Sequence, residues 1–381
     1  MITAELRRAI LTAAGLPDAD PLLRPGPAPG SYASSLPFRL ARPGQDPREA
    51  AADLAARLGA EPWIEAAQPT GAGYLTVTVT HDALAGLAVR VARAGPACAA
   101  SDALRGRALP APPSPDLAAE PGWPQARAAL AAHLTARLAA TAGATLIFSP
   151  EREVVTPPEP VPPPGGVPLL VLASPYSPEP YSPEPLPSLA PFPPAPPQSP
   201  ESPEPLGLFL PVPPQPESVA AAVAYAGADA VRFALARMPP GGAAPRVAVV
   251  ARHVLGNPAY AVRYAHAAAA AVLRWAAALG TRQAGPQEFR PRLLAEPGEL
   301  ALLDALSWLP ERVAAAARRG RPDEFAGYLE GLAERTIDTM STTSFATVSD
   351  ISTERLWLAA AARTGLAAGL DLLGISAPER L

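Results

Sequence analysis

Apolar residues recur in this chain at steps of three and four over most of its length, and at steps of two over one short stretch. The alternating stretch is Tyr74-Leu75-Thr76-Val77-Thr78-Val79-Thr80. It places Leu75, Val77 and Val79 on one face and threonines on the other, which predicts a strand buried on one side. Trp63 to Ala67 is a partner strand across the turn Pro69-Thr70-Gly71-Ala72-Gly73. Upstream, Asp46-Pro47-Arg48-Glu49 combines an N-cap, a first-turn proline and an acid three residues on; Leu54, Ala55 and Leu58 then form a stripe and Gly59 stops the helix. A further helix, Asp82 to Ala94, is expected to cover the hairpin. Residues 1–108 therefore read as a small α/β domain. A connector, 109–150, holds a helix from Trp123 to Ala142 and a short strand from Ala144 to Phe148.

From residue 217 to 381 the helical spacing predominates. Helices are expected over Ser218 to Met238, Glu299 to Trp308, Pro310 to Arg319, Pro322 to Met340 and Thr353 to Leu373, the last capped by Gly374. The most sharply defined helix starts at Asn257, whose side chain can accept from free backbone N–H groups, with Pro258 at a position where no N–H bond is lost. It runs through alanines and closes at Gly280. Tyr260, Tyr264, Ala268, Ala271, Trp275 and Leu279 share one side; Arg263, His266, Ala270 and Arg274 share another. The second stripe reads either as a surface for an RNA loop or as a solvated polar face with a satisfied histidine. Tyr260 and Tyr264 read equally as surface or as bundle core. The fold class is α+β: a small α/β domain, then an all-α bundle.

Between them, composition breaks the pattern. Of the 66 residues 151–216, 25 are proline, and Tyr-Ser-Pro-Glu-Pro occurs twice in tandem at Tyr176 to Pro185. Proline at this density blocks helices and sheet ladders, so a low-complexity, extended and semi-stiff linker is expected. Its Pro-x-x-Pro spacings fit either a spacer or a ligand for an aromatic-lined groove on a protein partner.

All 31 basic residues are arginine, and the net charge of −4 comes from the linker: 13 Arg and 12 acids lie in 1–150, one Arg and 7 acids in 151–216, 17 Arg and 16 acids in 217–381. Near-neutral outer parts argue against strong non-specific nucleic-acid binding, which depends on neutralising phosphates. The single cysteine, Cys98, makes no internal disulfide and no zinc site. No metal or cofactor is expected. Neither a signal-peptide core nor a long uninterrupted apolar run is present, so a cytoplasmic protein away from membranes is expected.

Three segments carry a resemblance: Asp229-Ala230-Val231-Arg232-Phe233, the helix Asn257 to His266 ending Tyr264-Ala265-His266, and the end Ala377-Pro378-Glu379-Arg380. In this order they resemble the helical anticodon-binding domain of arginyl-tRNA synthetases, and Ala50 to Leu58 with Gly73 to Asp82 are similar to the N-terminal accessory domain of the same family. The resemblance implies a tRNA partner, arginine-accepting tRNA among the candidates. It places Asn257, Tyr260, Tyr264 and His266 near the anticodon loop, with Arg263 and Arg274 toward phosphates. It also implies ATP-dependent activation of arginine through a histidine signature and a lysine-containing loop. Neither is in this chain: the histidines, His81, His133, His253 and His266, form no His-x-x-His pair, and lysine is absent. The expected function is thus non-catalytic tRNA binding by a chain that keeps both tRNA-touching ends, with 109–150 as a remnant of the catalytic domain. The alternatives are a protein-interaction scaffold and, less favoured, arginine–tRNA ligation.

Overall fold

The computed structural model describes residues 1–17, 19–148, 218–342 and 353–381. Helix α1 (Ile2–Ala14) buries Ile2, Leu6, Ile10 and Leu11 along one stripe and ends at Gly15. Strands β1 (Leu23–Pro25) and β2 (Ser31–Ser34) follow, then the short α2 (Pro37–Leu40) and α3 (Pro47–Leu58). The Asp46 carboxylate accepts from the Arg48 N–H, capping α3 as its sequence implies. Strands β3 (Ile64–Thr70) and β4 (Tyr74–Val79) form the hairpin, with Leu75, Val77 and Val79 buried. Gly73, at φ 124°, sits so close to α3 that a Cβ would stand 2.6 Å from Pro47. The turn is thereby held against the helix start.

The sheet has four antiparallel strands in the order β1-β2-β4-β3, so the hairpin is half of it. The helix that packs on β3 and β4 is α3. The stretch expected to cover the hairpin as one helix is two, α4 (His81–Ala85) and α5 (Leu87–Ala94), and α5 lies against the last helix of the bundle. A 3-10 turn, Gly95–Ala99, leads on to β5 (Ala108–Pro110), α6 (Trp123–Thr141) and β6 (Thr145–Ile147). β5 and β6 pair in parallel, Leu109 opposite Leu146, with α6 as the crossover. His133 lies half-buried on α6 with Nδ1 3.3 Å from the Pro112 carbonyl. The proline-rich stretch 151–216 lies outside the described residues.

The span Ser218 to Met238 is also two helices, α7 (Val219–Ala226) and α8 (Ala228–Arg237), broken at Gly227 with φ 85° and ψ 150°, a conformation foreign to helices. Then come the short α9 (Val247–Val250), α10 (Pro258–Ala278), α11 (Pro297–Ser307), α12 (Leu309–Arg319), α13 (Pro322–Met340) and α14 (Thr353–Leu372). A reciprocal capping box between Glu296 and Glu299 starts α11. α14 is the common partner: it packs on α10, α11 and α13, and its other side meets α5. Gly365 and Gly369 make this possible, since a Cβ at either would lie within 2.6 Å of Leu306 or Leu329 respectively.

Residues before and after the proline-rich stretch share one core. Fully buried Tyr32 places its hydroxyl 2.9 Å from Ser307 Oγ and its ring 5.4 Å from that of Trp308. The Gly30 N–H donates to Asp304 at 3.0 Å, and Thr3 donates to the Ser307 carbonyl. Buried polar groups that find partners across the two halves fix their register as well as their contact. No helix among the described residues is long and apolar enough to cross a membrane.

Candidate functional site

Helix α10 turns an alanine face inward. Ala259, Val262, Ala265, Ala269, Val272 and Ala276 are buried against α8, α13 and α14. Small side chains let helix axes approach closely, and the bulky residues are left outside. The large stripe Tyr260, Tyr264, Trp275 and Leu279 is therefore outermost: Tyr264 is 37% exposed, Trp275 62% and Leu279 56%, and Tyr260 is partly covered. Tyr260 and Tyr264 stack at 5.9 Å, and His253, from the loop after α9, continues the stack on Tyr260 at 5.6 Å and 12° between planes. His253 and Trp275 had no place among the sequence candidates. His253 sits in a loop without periodicity, so no pattern marks it; Trp275 was visible only as one member of an apolar stripe.

Asn257 is buried and fully employed. Its Oδ1 accepts from the Ala259 N–H at 3.2 Å, and its Nδ2 donates to the carbonyls of Val250 and Arg252 at 2.7 Å each. It thus joins the α9 turn, and with it His253, to the start of α10. Beside this junction a cleft of about 600 Å³ opens between α8 and α9, lined in part by Phe233, Met238, Val249 and Pro258, with Arg237 and Arg246 at its edge. Arg237 pairs with Glu330.

The polar stripe meets residues 378–379, which satisfy its histidine where solvent was the expected neighbour. His266 is buried, and its Nδ1 donates to the Pro378 carbonyl at 2.9 Å. Burial holds its pKa below the ordinary histidine value, against the opposing effects of that hydrogen bond and of Glu379. Arg274 donates to the main-chain carbonyl of Glu379 at 2.6 Å. Arg363, from α14, donates through Nε to the Glu379 carboxylate at 2.9 Å. Arg263 is half-buried, and its Nε has no hydrogen-bond partner among the described residues.

The other motifs converge on the same segment. Gly374, at φ 69°, closes α14 with the Ile375 N–H bonded back to Leu370. Arg232 and Arg137 flank it, each with Nη1 within 3.4 Å of where a Gly374 Cβ would stand. Asp229 accepts from the Ser376 N–H at 3.2 Å and from its hydroxyl. The Asp-Ala-x-Arg, Tyr-Ala-His and Ala-Pro-Glu-Arg motifs, distant in sequence, therefore dock residues 374–379 across α8, α10 and α14. Among the described residues no cluster of His, Cys, Asp or Glu could hold a metal ion.

The DALR anticodon binding domain family model matches residues 262–381, and the arginyl tRNA synthetase N terminal domain model matches residues 1–79. The arginine–tRNA ligase of Renibacterium salmoninarum is 40% identical over 165 residues, covering 41% of this chain and 29% of that protein. That of Clavibacter sepedonicus is 40% identical over 165 residues, covering 41% of this chain and 28% of its own. The arginyl-tRNA synthetase structure from Thermus thermophilus aligns at 26% identity with a TM-score of 0.34, over 43% of this chain and 28% of that one. The chain thus spans less than a third of the length of the curated relatives it matches.

Proposed function

We propose that this chain, which carries the N-terminal and the DALR anticodon-binding domains of arginyl-tRNA synthetases, binds tRNA without aminoacylating it and reads unpaired bases of the anticodon region on α10. The observation that carries the reading is the outward stack His253, Tyr260, Tyr264 at the start of α10, the helix within which the DALR match begins at residue 262. Single-stranded RNA is recognised by splaying bases onto such rings. Tyr260 and Tyr264 supply the platform, Arg263 and Arg274 the phosphate contacts, and Asn257 and His266 hold the elements that present them. The absence of lysine and of a His-x-x-His pair within this chain supports a non-catalytic role, as does a parallel strand pair only three residues long beside α6.

The test is a filter-binding titration against total tRNA and arginine-accepting tRNA, with Y260A/Y264A alongside. Each stacked base is worth about 1–3 kcal/mol, so the double variant is expected to lose at least about tenfold in affinity. Both rings lie on the outer face, so its fold should survive. Tight binding that ignores both tyrosines refutes the site, and no binding at tens of micromolar in low salt refutes RNA binding. That last outcome turns attention to a protein partner, which the even balance of 17 Arg and 16 acids in 217–381 also accommodates.

A further inference from the structure

Glu379 lies where two arginines from different helices meet. Its carboxylate is within 2.9 Å of Arg363 Nε and 2.5 Å of Arg363 Nη2, and 3.7 Å from Arg274 Nη1. Helix packing fixes the backbones of both arginines, while the acid rides on a segment held at four points: Ser376 on Asp229, the Pro378 carbonyl on His266, the Glu379 carbonyl on Arg274 and its carboxylate on Arg363. The ion pairs are solvent-facing, with Glu379 50%, Arg363 44% and Arg274 36% exposed. Exposed pairs of this kind are worth about 0–1 kcal/mol each. An RNA backbone phosphate carries the same single charge on two non-bridging oxygens, and its tetrahedral geometry lets each oxygen face a different guanidinium group, so the exchange sets like against like at little cost.

We propose that Glu379 keeps an oxyanion site of Arg274 and Arg363 closed, and that a backbone phosphate of bound RNA opens it by displacing the 378–379 segment. This rests on the RNA-binding reading above and adds a competitor within the chain. The position suits it: Arg274 follows Tyr264 by ten residues, about 15 Å along the same helix, within reach of a strand a few nucleotides long whose base lies on the tyrosines. His266 donates to the Pro378 carbonyl from beneath, so the segment has a defined seat to return to.

The experiment uses the full chain with a fluorophore on L381C. Cys98 is buried, so the label is selective. Anisotropy reports release of the segment, and the probes are a synthetic anticodon-arm RNA hairpin and inorganic tripolyphosphate. With the hairpin, anisotropy should fall as binding saturates. E379Q should start only slightly below the wild-type anisotropy, since three of the four holding points remain, bind the hairpin about fivefold more tightly by removing one acid from two exposed pairs, and lose this gain when R363Q is added. Thermal unfolding of E379Q checks that the fold is intact.

Hairpin binding that depends on Tyr260 and Tyr264 but leaves anisotropy unchanged overturns the closed site and spares the RNA reading. Failure of the hairpin to bind overturns both. Release by tripolyphosphate alone assigns the arginines to free oligophosphate and overturns the RNA backbone as ligand. Unchanged hairpin affinity in E379Q refutes the competition whatever the anisotropy does.

Discussion

Replacing Gly369 by alanine sets two effects of opposite sign against each other in one residue. Alanine in a helix interior is favoured over glycine by about 0.8–1 kcal/mol. At Gly369 the added methyl would stand 2.3 Å from Leu329 Cδ2, 3.2 Å from Cδ1 and 3.3 Å from Cγ. Because the whole isobutyl group is engaged, turning one methyl away brings the other in. Leu329 is fully buried, so it cannot retreat into solvent. Overpacking of this kind costs about 1–3 kcal/mol, and the net for G369A is a loss of about 0–2 kcal/mol. Gly327 is the control. It lies inside α13, exposed, with nothing within 4 Å of an added Cβ, so G327A should gain up to about 1 kcal/mol. Urea denaturation followed by circular dichroism compares the two: midpoints should move in opposite directions with m unchanged. If G369A is as stable as G327A, α14 does not press on α13 as described, and the helical bundle is looser than the packing requires.

Other outcomes follow from the α10 junction. His266 has a depressed pKa, so the unfolded chain takes up the proton first as pH falls through the ordinary histidine range near 6.5. Stability should be complete above that range and fall as the pH drops through and below it. H266N keeps a donor for the Pro378 carbonyl, with Glu379 and Arg363 still facing it, and should show a shallower decline. His133, also depressed, remains in both proteins; an unchanged slope in H266N would assign the effect to it. N257A removes a cap and the two amide donations to the Val250 and Arg252 carbonyls, and should cost about 2 kcal/mol. It should also weaken RNA binding by freeing His253 from the Tyr260 stack, whereas N257D, which keeps the cap alone, should recover part of the stability and little of the binding.

Local signals carried much of the fold. The alternation at Leu75, Val77 and Val79 marked a one-sided strand because only one face meets a helix. Asn257-Pro258 marked a helix start because capping is a property of adjacent residues. What escaped was set by geometry that side-chain pattern does not encode. Ser218 to Met238 is continuous in periodicity, and only the dihedral angles of Gly227 divide it. β2, Ser31 to Ser34, has no β-branched residue, and its membership in the sheet comes from pairing with β4. On α10 the bulky tyrosines read equally as surface or as core, and the alanines pack inward because three neighbouring helices, α8, α13 and α14, crowd that side. Arg263, His266 and Arg274 were legible as one stripe of α10, and Asn257 as its cap. Their partners were not, because Pro378 and Glu379 lie more than a hundred positions away from His266 and Arg274.

Because Tyr32, Gly30 and Thr3 are bonded to Ser307 and Asp304 directly, the polypeptide between the halves is a connector whose length matters little. Doubling such a connection costs only about 0.6 kcal/mol of closure entropy. Tandem duplication, as in the repeated Tyr-Ser-Pro-Glu-Pro, is then nearly silent for the fold. A chain nicked within 151–216 should stay together as a two-piece complex, so this region can drift in evolution while the halves on either side keep each other's shape.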